Sequence, residues 1–457
     1  MHIVFANQYY PPDVAPTGVM LEAVATELVR RGHAVTVLAA TGGYGGSGDG
    51  VEKTGGEAGV RVKRMKALSF GRASKLAKLL DYASYYVAMV PRLLMVGPRP
   101  DVMVALTTPP FLSVLVRVAS WLRGARHAHW VMDVYPDVML GHGMIREGGM
   151  VHRMLRGVAR FGFGGRRSVA VLGLGPDMAE KLAAYCGAGR KAEWVALWET
   201  AGRTAGDGEM ETLRKARGWG DGETVFLYSG NMGLGHCFGD VIAAGRRLSG
   251  EGVRLAFFGR GGRRREVEMA VKEGEWENAV PTLGDYVAQG DLPAHLASGD
   301  VHLASLDPRW DGTMVPSKLQ GIFFSGRPVL FTGSASCSIG RWILESGAGW
   351  VCAPGDAEAH VAAMREALDP GVRTRMGAAA RAYAERHFNR TVNAARVAAV
   401  LTGVNPELSR NLCYPQPDQE SKHPVRKVSS ISGISSWFAE TSSCNCIKRS
   451  RPRRRMK

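Results

Sequence analysis

The sequence predicts an α/β protein built from two doubly wound, Rossmann-like domains that face each other across a cleft. Short apolar runs rich in Val, Ile, Leu and Ala alternate with amphipathic segments of helix length, as in parallel sheets with crossover helices. The alternation stops over residues 201–223, a stretch rich in Gly and charge, and then restarts. A chain of 457 residues suits two domains of this kind.

The first domain is predicted over residues 1–200, from the apolar runs that suit buried parallel strands. Its strands are expected at residues 2–6, 34–39, 60–65, 101–106, 126–132, 168–172 and 193–197. Its helices are expected at residues 18–31, 73–95, 110–122, 149–162 and 176–185.

Residues 201–223 are predicted to be a linker and residues 224–385 a second domain. Strands are expected there at residues 224–229, 253–258, 279–283, 300–305, 328–331 and 349–352. Helices are expected at residues 237–248, 263–273, 316–325, 338–346, 356–367 and 370–386, with a closing helix within residues 386–403.

The tail over residues 404–457 differs from the rest of the chain. It has no apolar periodicity and carries eleven Lys or Arg against four Asp or Glu, which is a large part of the net charge of +16. This composition predicts a disordered basic tail. Such a tail is either a solvated, dispensable segment or a contact for nucleic acid or an anionic membrane, and we expect no specific nucleic-acid partner.

Composition excludes several classes of protein. The chain is 45% hydrophobic and 22% charged, as in ordinary soluble proteins. The apolar run over residues 3–6 is too short for a signal peptide, so we expect a cytoplasmic protein. The runs over residues 82–96 and 102–122 are interrupted, so we expect no transmembrane helix. Seven scattered cysteines predict neither a disulfide framework nor a zinc site.

Two glycine-rich turns stand at consecutive strand ends of the second domain. The first includes Gly230, Asn231 and Gly233, and the second begins at Gly259. Glycines allow a backbone to approach a phosphate closely, and ligands of open α/β sheets bind at the carboxyl ends of strands. The pair of turns therefore indicates an anion site.

Pro316, Ser317 and Lys318 begin a predicted helix in the same domain. Proline in a first helical turn, beside a hydroxyl and an ammonium group, is suited to binding a diphosphate. We expect Lys318 to be exposed there and to contribute little to stability.

A third candidate loop follows the first strand and contains Gly18. A strand, a loop and a helix start present backbone N–H groups to an anion. The loop is not a G-x-G-x-x-G motif, so an ordinary turn between strand and helix is the alternative interpretation.

These stretches together resemble a known family. IVFANQYYPPDVAPTG, HWVMDVYPD, FLYSGNMGLGH, FFGRGG and VPSKLQGIFFSGRPVLF stand in the order found in glycosyltransferase family 4, close to the subgroup that builds bacterial surface polysaccharides and O-antigens. The resemblance spans residues 1 to about 400 and implies the GT-B architecture. It implies a nucleotide-diphosphate sugar held by the second domain, a glycan acceptor held mainly by the first, and transfer with retention of configuration.

Site residues follow from the resemblance. Asn231 and Gly233 fall in the donor-phosphate loop, and Ser317 and Lys318 fall at the diphosphate-binding helix start. Asp133 falls at the strand end that faces the transferred sugar, and Gly18 falls in the loop that approaches the donor phosphates.

One departure from the family affects the expected sugar contacts. Many members carry two glutamates eight residues apart, and the corresponding positions here hold Thr313 and Gly321. We expect Asp311 to supply one of the missing contacts. The chain has no D-x-D motif, so we expect a metal-independent reaction without a cofactor, in which amides and Lys318 stabilise the leaving diphosphate.

Residues 72–97 combine Arg72, Lys75, Lys78 and Arg92 with three tyrosines. Such a segment suits peripheral contact with an anionic membrane on its cytoplasmic face, and a core-facing helix is the alternative.

The leading hypothesis is a retaining hexosyl- or N-acetylhexosaminyltransferase that acts on a lipid-linked glycan. The alternatives are a nucleotide-sugar 2-epimerase of related fold and a non-catalytic member that binds nucleotide or glycan.

Overall fold

The structure is a computed structural model, and it describes residues 1–13, 15–41, 59–66, 75–187, 190–198 and 206–403. The predicted basic tail over residues 404–457 and residues 201–205 of the predicted linker lie outside these ranges. In the described parts, each predicted strand is present, with ends that differ from the expected ones by a few residues.

Seven parallel strands form the first sheet. They are β1 (His2–Ala6), β2 (Ala34–Thr41), β3 (Arg61–Lys66), β4 (Val102–Ala105), β5 (Arg126–Trp130), β6 (Ser168–Gly173) and β7 (Glu193–Trp194). The helices between them are α1 (Pro16–Arg30), α2 (Lys75–Met95), α3 (Leu112–Arg123), α4 (Asp137–Gly141), α5 (Met150–Phe163) and α6 (Pro176–Cys186). The strand order is β3-β2-β1-β4-β5-β6-β7, so the chain reverses direction across the sheet between β1 and β4.

Six parallel strands form the second sheet. They are β8 (Thr224–Ser229), β9 (Val253–Phe258), β10 (Thr282–Gly284), β11 (Val301–Ser305), β12 (Val329–Thr332) and β13 (Gly349–Cys352). The helices are α7 (Asp207–Ala216), α8 (Gly239–Arg247), α9 (Arg264–Glu273), α10 (Leu292–Ser298), α11 (Lys318–Phe324), α12 (Ser338–Ser346), α13 (Ala357–Glu366), α14 (Pro370–His387) and α15 (Arg390–Thr402). The order β10-β9-β8-β11-β12-β13 reverses between β8 and β11. Ligands of doubly wound sheets bind at such reversals.

Alternate side chains of β1 pack into two different cores, one on each face of the first sheet. Ile3 and Phe5 belong to a core shared with α1 and α15, whereas Val4 and Ala6 belong to a core shared with α2 and α3. Successive side chains of a strand point to opposite faces, so helices cover both faces of the sheet.

The chain returns to the first domain at its end. Helix α15 packs against α1 and β6, although it follows the second sheet in sequence. One cluster of buried apolar side chains continues from the first sheet through Trp310 and Trp342 into the second. The two sheets therefore share part of one core.

Three helices were not predicted: α4, α7 and α10. Helix α7 lies inside the predicted linker and packs on α10, and Arg214 of α7 forms an ion pair with Asp300 at 2.8 Å. The described part of the linker is thus attached to the second domain, because its charged residues find partners there. The exact domain limits stay a prediction.

Two tyrosines of α2 face the interior of the protein, contrary to the expectation that this segment contacts a membrane. Tyr85 is fully buried, and the hydroxyl of Tyr86 donates to the carbonyl of Pro110. This part of the helix therefore faces the core, as in the alternative interpretation. Arg72 and the side chains of Lys75 and Lys78 lie outside what the structure describes.

Candidate active site

The segment between β11 and α11, residues 306–317, contacts both domains. Asp133, three residues beyond the end of β5, pairs with Met314 in an isolated antiparallel bridge. The amide of Val134 donates to the carbonyl of Thr313 at 2.8 Å. Met314 lies four residues before Lys318. Asp133, the predicted catalytic residue of the first domain, therefore lies beside the segment that leads into Lys318, the predicted catalytic residue of the second domain.

The Asp133 carboxyl group is poorly solvated. Burial raises its pKa to about 6. The Thr107 hydroxyl accepts hydrogen bonds from the amides of Met132 at 2.8 Å and Asp133 at 3.3 Å, which fixes the backbone after β5. A carboxyl group with this pKa changes its charge just below neutral pH, which suits a group that interacts with a reacting sugar.

Lys318 is not the exposed residue that the sequence predicts. Its Nζ lies 3.7 Å from the centroid of the Tyr228 ring and donates to the Tyr228 hydroxyl and to the carbonyl of Asn231, the latter at 3.3 Å. Burial lowers its pKa to about 7. Within the described residues it forms no ion pair, so an anionic ligand is the partner that would favour its charged form.

Tyr228 was missed by the sequence analysis. Its hydroxyl donates to the Asn231 carbonyl at 2.7 Å, and burial raises its pKa, so it stays protonated. The side chain therefore links Lys318 to the turn after β8. The available signal was an aromatic residue two positions before Gly230 at a strand end.

The two glycine turns pack directly on each other. The amide of Gly230 donates to the backbone carbonyl of Phe258 at 2.9 Å, and the amide of Met232 donates to the backbone carbonyl of Arg260 at 2.8 Å. A Cβ atom on Gly259 would lie 2.0 Å from the Gly230 carbonyl oxygen, and the φ of Gly259 is +127°. Glycine is required at this position because both space and backbone conformation exclude a side chain.

Gly233 differs from these positions. Its φ is not in the left-handed region, and a Cβ atom would meet the Asn231 side chain at 3.2 Å. Its amide and that of Leu234 have no hydrogen-bond partner in the part of the chain that the structure describes. This turn therefore has amides available to an anion, whereas those of Gly230 and Met232 are occupied.

Ser317 and the loop before Gly18 border one cavity of about 440 Å³ between the domains. The first domain lines the cavity with Pro11, Pro12, Asp13, Pro16, Val19, Met20, Glu22 and Trp198, and the second lines it with Val287, Gln289, Leu292 and Ser317. Ser317 precedes α11 without using its hydroxyl as a cap. The hydroxyl is thus available to a ligand in the cleft.

Gly18 lies under that loop. Its amide donates to Ala15 at 2.9 Å, and a Cβ atom would lie 3.2 Å from backbone atoms of Tyr9 and Tyr10. The structure therefore gives Gly18 a packing role beneath the cleft, and direct contact with the donor stays a prediction.

Asp311 lies at the contact between the domains. Burial is the main reason that its pKa is raised, and its Oδ1 atom is buried without a hydrogen-bond partner among the described residues. The next amide, of Gly312, donates to Asp177 of α6 at 3.1 Å. The predicted sugar contact of Asp311 stays a prediction.

Thr313 and Gly321 stand where many family members carry glutamates, and both are buried. The Thr313 hydroxyl donates to the Trp310 carbonyl at 2.6 Å and is buried, and Gly321 lies buried within α11. Neither position supplies a carboxylate to the cleft.

Trp310 is a second residue that the sequence analysis missed. Its ring is buried, lies against Gly141 of α4 and Gly235 of the first glycine turn, and is 4.7 Å from the His142 ring. It joins the first domain to the turn. A lone tryptophan in a loop gives no sequence signal for this contact.

His236 is a structural residue. Burial, together with the charge of Lys318, lowers its pKa to about 3, and its Nδ1 lies 2.7 Å from the Ser305 carbonyl. The ring is therefore neutral at physiological pH and donates to that carbonyl.

Among the described residues, no group of three or more His, Cys, Asp or Glu side chains could hold a metal ion. None of the helices described has the length and apolar character needed to span a bilayer. Metal independence stays a prediction.

Residues 17–198 match the family model of the glycosyl transferase 4-like domain. The chain is 27% identical over 403 residues to WcaI of Escherichia coli strain K12, provisionally named a colanic acid biosynthesis glycosyl transferase, covering 85% of this chain and 97% of WcaI. It is 24% identical over 322 residues to WbjE of Pseudomonas aeruginosa, provisionally named a glycosyltransferase, covering 68% of this chain and 76% of WbjE.

Solved structures show the same fold. WaaG, a glycosyltransferase involved in lipopolysaccharide biosynthesis, has a TM-score of 0.60 and 18% identity, with 88% of this chain and 100% of WaaG covered. Anabaena HepE in complex with UDP and glucose has a TM-score of 0.63 and 14% identity, with the same coverage. Two parallel sheets, their facing loops and these matches agree: the chain has the GT-B fold, residues 17–198 match a glycosyl transferase 4-like domain, and the relatives support glycosyltransferase activity.

Proposed function

We propose that this protein is a retaining glycosyltransferase of surface polysaccharide synthesis. In this proposal it moves a hexose or N-acetylhexosamine from a nucleotide-diphosphate sugar to a lipid-linked glycan at the cytoplasmic face of a membrane. The names of WcaI and WbjE support the class of reaction, and the HepE complexes with UDP and UDP-glucose support the class of donor.

The observation that carries the proposal is the pairing of Asp133 with Met314. It brings a carboxyl group of the first domain to the segment that leads into Ser317 and Lys318. Transfer breaks the bond between sugar C1 and the diphosphate oxygen and forms a bond between C1 and an acceptor hydroxyl oxygen. The hydroxyl proton passes to the departing diphosphate.

Each group has a defined role in that reaction. Lys318 and the free amides of the first glycine turn stabilise the charge that develops on the leaving diphosphate. Asp133, when ionised, accepts a hydrogen bond from the transferred sugar and stabilises positive charge at C1. The sequence has no D-x-D motif, so we propose that the reaction proceeds without a metal ion.

Product analysis separates this proposal from its alternatives. Purified protein is incubated with UDP- and GDP-sugars and with extracted lipid-linked acceptor, with and without EDTA, and the products are analysed by mass spectrometry. Free nucleotide with an extended acceptor in both samples supports the proposal. A changed sugar on intact nucleotide indicates epimerisation. Nucleotide binding without any product indicates a non-catalytic member, as the absence of glutamates at Thr313 and Gly321 would then explain.

A further inference from the structure

Two neighbouring helices of the first domain turn apolar side chains outward. Helices α3 and α5 pack side by side, and their outer stripes expose large apolar residues. Trp121 is 68% exposed, Met150 is 79% exposed and Met154 is 60% exposed. We call this surface the α3–α5 face, and its apolar members are Val118, Trp121, Leu122, Met150, Met154 and Phe161.

The outward pattern on each helix is regular. On α5, Met150, Met154 and Phe161 follow helical spacing on the outer side, whereas His152, Ala159 and Phe163 are buried. The helix is thus amphipathic, yet its exposed side is itself partly apolar. Isolated apolar residues on a surface are ordinary, but a connected group of them marks an interaction site.

The helices of the α3–α5 face carry arginines and no acidic residue, and the exposed Glu147 lies three residues before Met150. Residues 111–132 and 148–176 contain eight arginines and no Asp or Glu. None of the eight forms an ion pair with a carboxylate that the structure describes. Arg117, Arg166 and Arg167 line one groove with Val118, Trp121 and Phe161, and Arg153 and Arg160 are exposed on α5.

The two helices meet in a groove of about 420 Å³ that contains both kinds of residue. Val118 and Trp121 line it from α3, and Phe161, Arg166 and Arg167 line it from α5 and the turn that follows. The Arg117 guanidinium lies 4.1 Å from the centroid of the Phe161 ring. At this end of the α3–α5 face, apolar and cationic groups therefore line the same groove.

We propose that the α3–α5 face binds the surface of an anionic lipid bilayer. Apolar side chains would enter the boundary between headgroups and acyl chains while the arginines contact lipid phosphates. A second copy of the chain fits less well, because self-pairing would place arginines against arginines. The tail is excluded by its own basic charge. The inference builds on the proposed lipid-linked acceptor and assigns the membrane contact to α3 and α5.

The position of the face suits that acceptor. Helix α5 follows β5 and Asp133, so its first turn, at Met150, lies on the side of the sheet where the cleft opens. A glycan that emerges from the bilayer beside Met150 therefore starts on the same side of the domain as Asp133.

Vesicle flotation of the full-length protein tests the proposal, with vesicles of phosphatidylcholine alone or with 30% phosphatidylglycerol. Full-length chains keep the tail constant in every sample. We expect wild-type protein to float only with the anionic vesicles at low salt. R153E/R160E should lower the partition coefficient at least tenfold, since one basic residue near an anionic surface contributes about fivefold.

Matched control variants separate the face from net charge. R375E/R386E changes two exposed arginines of α14 and alters the net charge equally, so its partition should stay within twofold of wild type. M150S/M154S removes apolar side chains from the face and should weaken binding, whereas M269S/L344S removes exposed apolar side chains of the second domain and should not. Thermal melting confirms folding, and M150S/M154S carries the test if R153E/R160E does not fold.

Equal effects of the face variants and their controls would overturn the proposal. So would a wild-type dimer that R153E/R160E converts to a monomer, because the face would then pair with a second copy. Transfer to a detergent-dispersed acceptor distinguishes this inference from the proposed function. Loss of flotation with retained transfer supports the face, and flotation without any transfer leaves the face standing while the transferase assignment fails.

Discussion

The Lys318 ammonium nitrogen lies 3.7 Å from the centre of the Tyr228 ring and donates a hydrogen bond to the Tyr228 hydroxyl. This contact joins the start of α11 to the turn after β8, where the order of the second sheet reverses. It also holds an ammonium group in a site without a carboxylate partner among the described residues. The Lys318 ammonium group is therefore available to bind an anion, and its burial lowers the stability of the folded state.

Replacing Lys318 by methionine should raise the melting temperature and lower turnover about 100-fold to 1000-fold. Its pKa in the folded state, about 7, lies below the ordinary value of 10.5. The folded state therefore binds the Lys318 proton less tightly than the unfolded state does. The free energy of unfolding of the wild-type protein should thus rise with pH between about 7 and 10.5. The gain in melting temperature should be largest at pH 7 and below. A gain that does not change with pH would contradict the assignment.

Lys318→Arg should preserve donor affinity at alkaline pH. Wild-type affinity should weaken as pH rises above 7, because Lys318 then binds the diphosphate only after taking up a proton. Arginine stays charged, so the titration of affinity between pH 6 and 9 should be flatter. Calorimetric titration with nucleotide diphosphate at several pH values measures this. Parallel profiles for both proteins would show that another group controls binding.

Asp133→Asn should lower kcat on the order of 100-fold, because the neutral amide no longer stabilises positive charge at C1. The carboxyl pKa of about 6 predicts that wild-type activity rises as pH passes through 6, and the variant should lose this dependence. The raised pKa also means that the folded state favours the protonated carboxyl group. The variant should thus gain stability above pH 6 and gain little below pH 4. An unchanged acid limb in the rate profile would exclude Asp133.

Gly259→Ala should destabilise the protein, by about 1–3 kcal/mol or more, because its Cβ atom would collide with the Gly230 carbonyl. Gly233→Val should leave the fold intact and weaken donor binding, because the side chain would crowd the free amides of its turn. Thermal melting and nucleotide titration of both variants separate the two effects. A stable Gly259→Ala protein would show that the two turns can move apart.

Truncation after Gly403 should leave activity and melting temperature unchanged. The last described helix, α15, ends at Thr402 and buries Leu401, so the cut removes none of its packing. The tail lacks apolar periodicity with which to pack. A fall of several degrees in melting temperature would show that the tail contributes to the folded body.

The strands could be predicted because each is a short apolar run between turn residues, as in VRLAFF before Gly259. Helix α7 was missed because it is mostly polar and is stabilised by tertiary pairs such as Arg214 with Asp300. Periodicity does not detect such a helix.

The sequence could predict that the glycine turns and Asp133 follow strands and that Ser317 and Lys318 stand at a helix start, and the structure places them there; their roles in a site stay predictions. The environment of these residues was not predictable. The burial of Lys318 depends on Tyr228, ninety positions away, and the contact of Trp310 with Gly141 crosses between domains. Such contacts arise from packing and leave no local pattern.

Paired measurements of nucleotide affinity and turnover test most directly that Asp133 and Lys318 act on one bound donor. Calorimetry gives the affinity for the nucleotide diphosphate released by the preferred donor, and product formation gives kcat. We predict that Lys318→Met weakens affinity at least tenfold and that Asp133→Asn leaves it within twofold, while both variants lose turnover. Unchanged affinity in Lys318→Met, or full turnover in Asp133→Asn, would contradict the account.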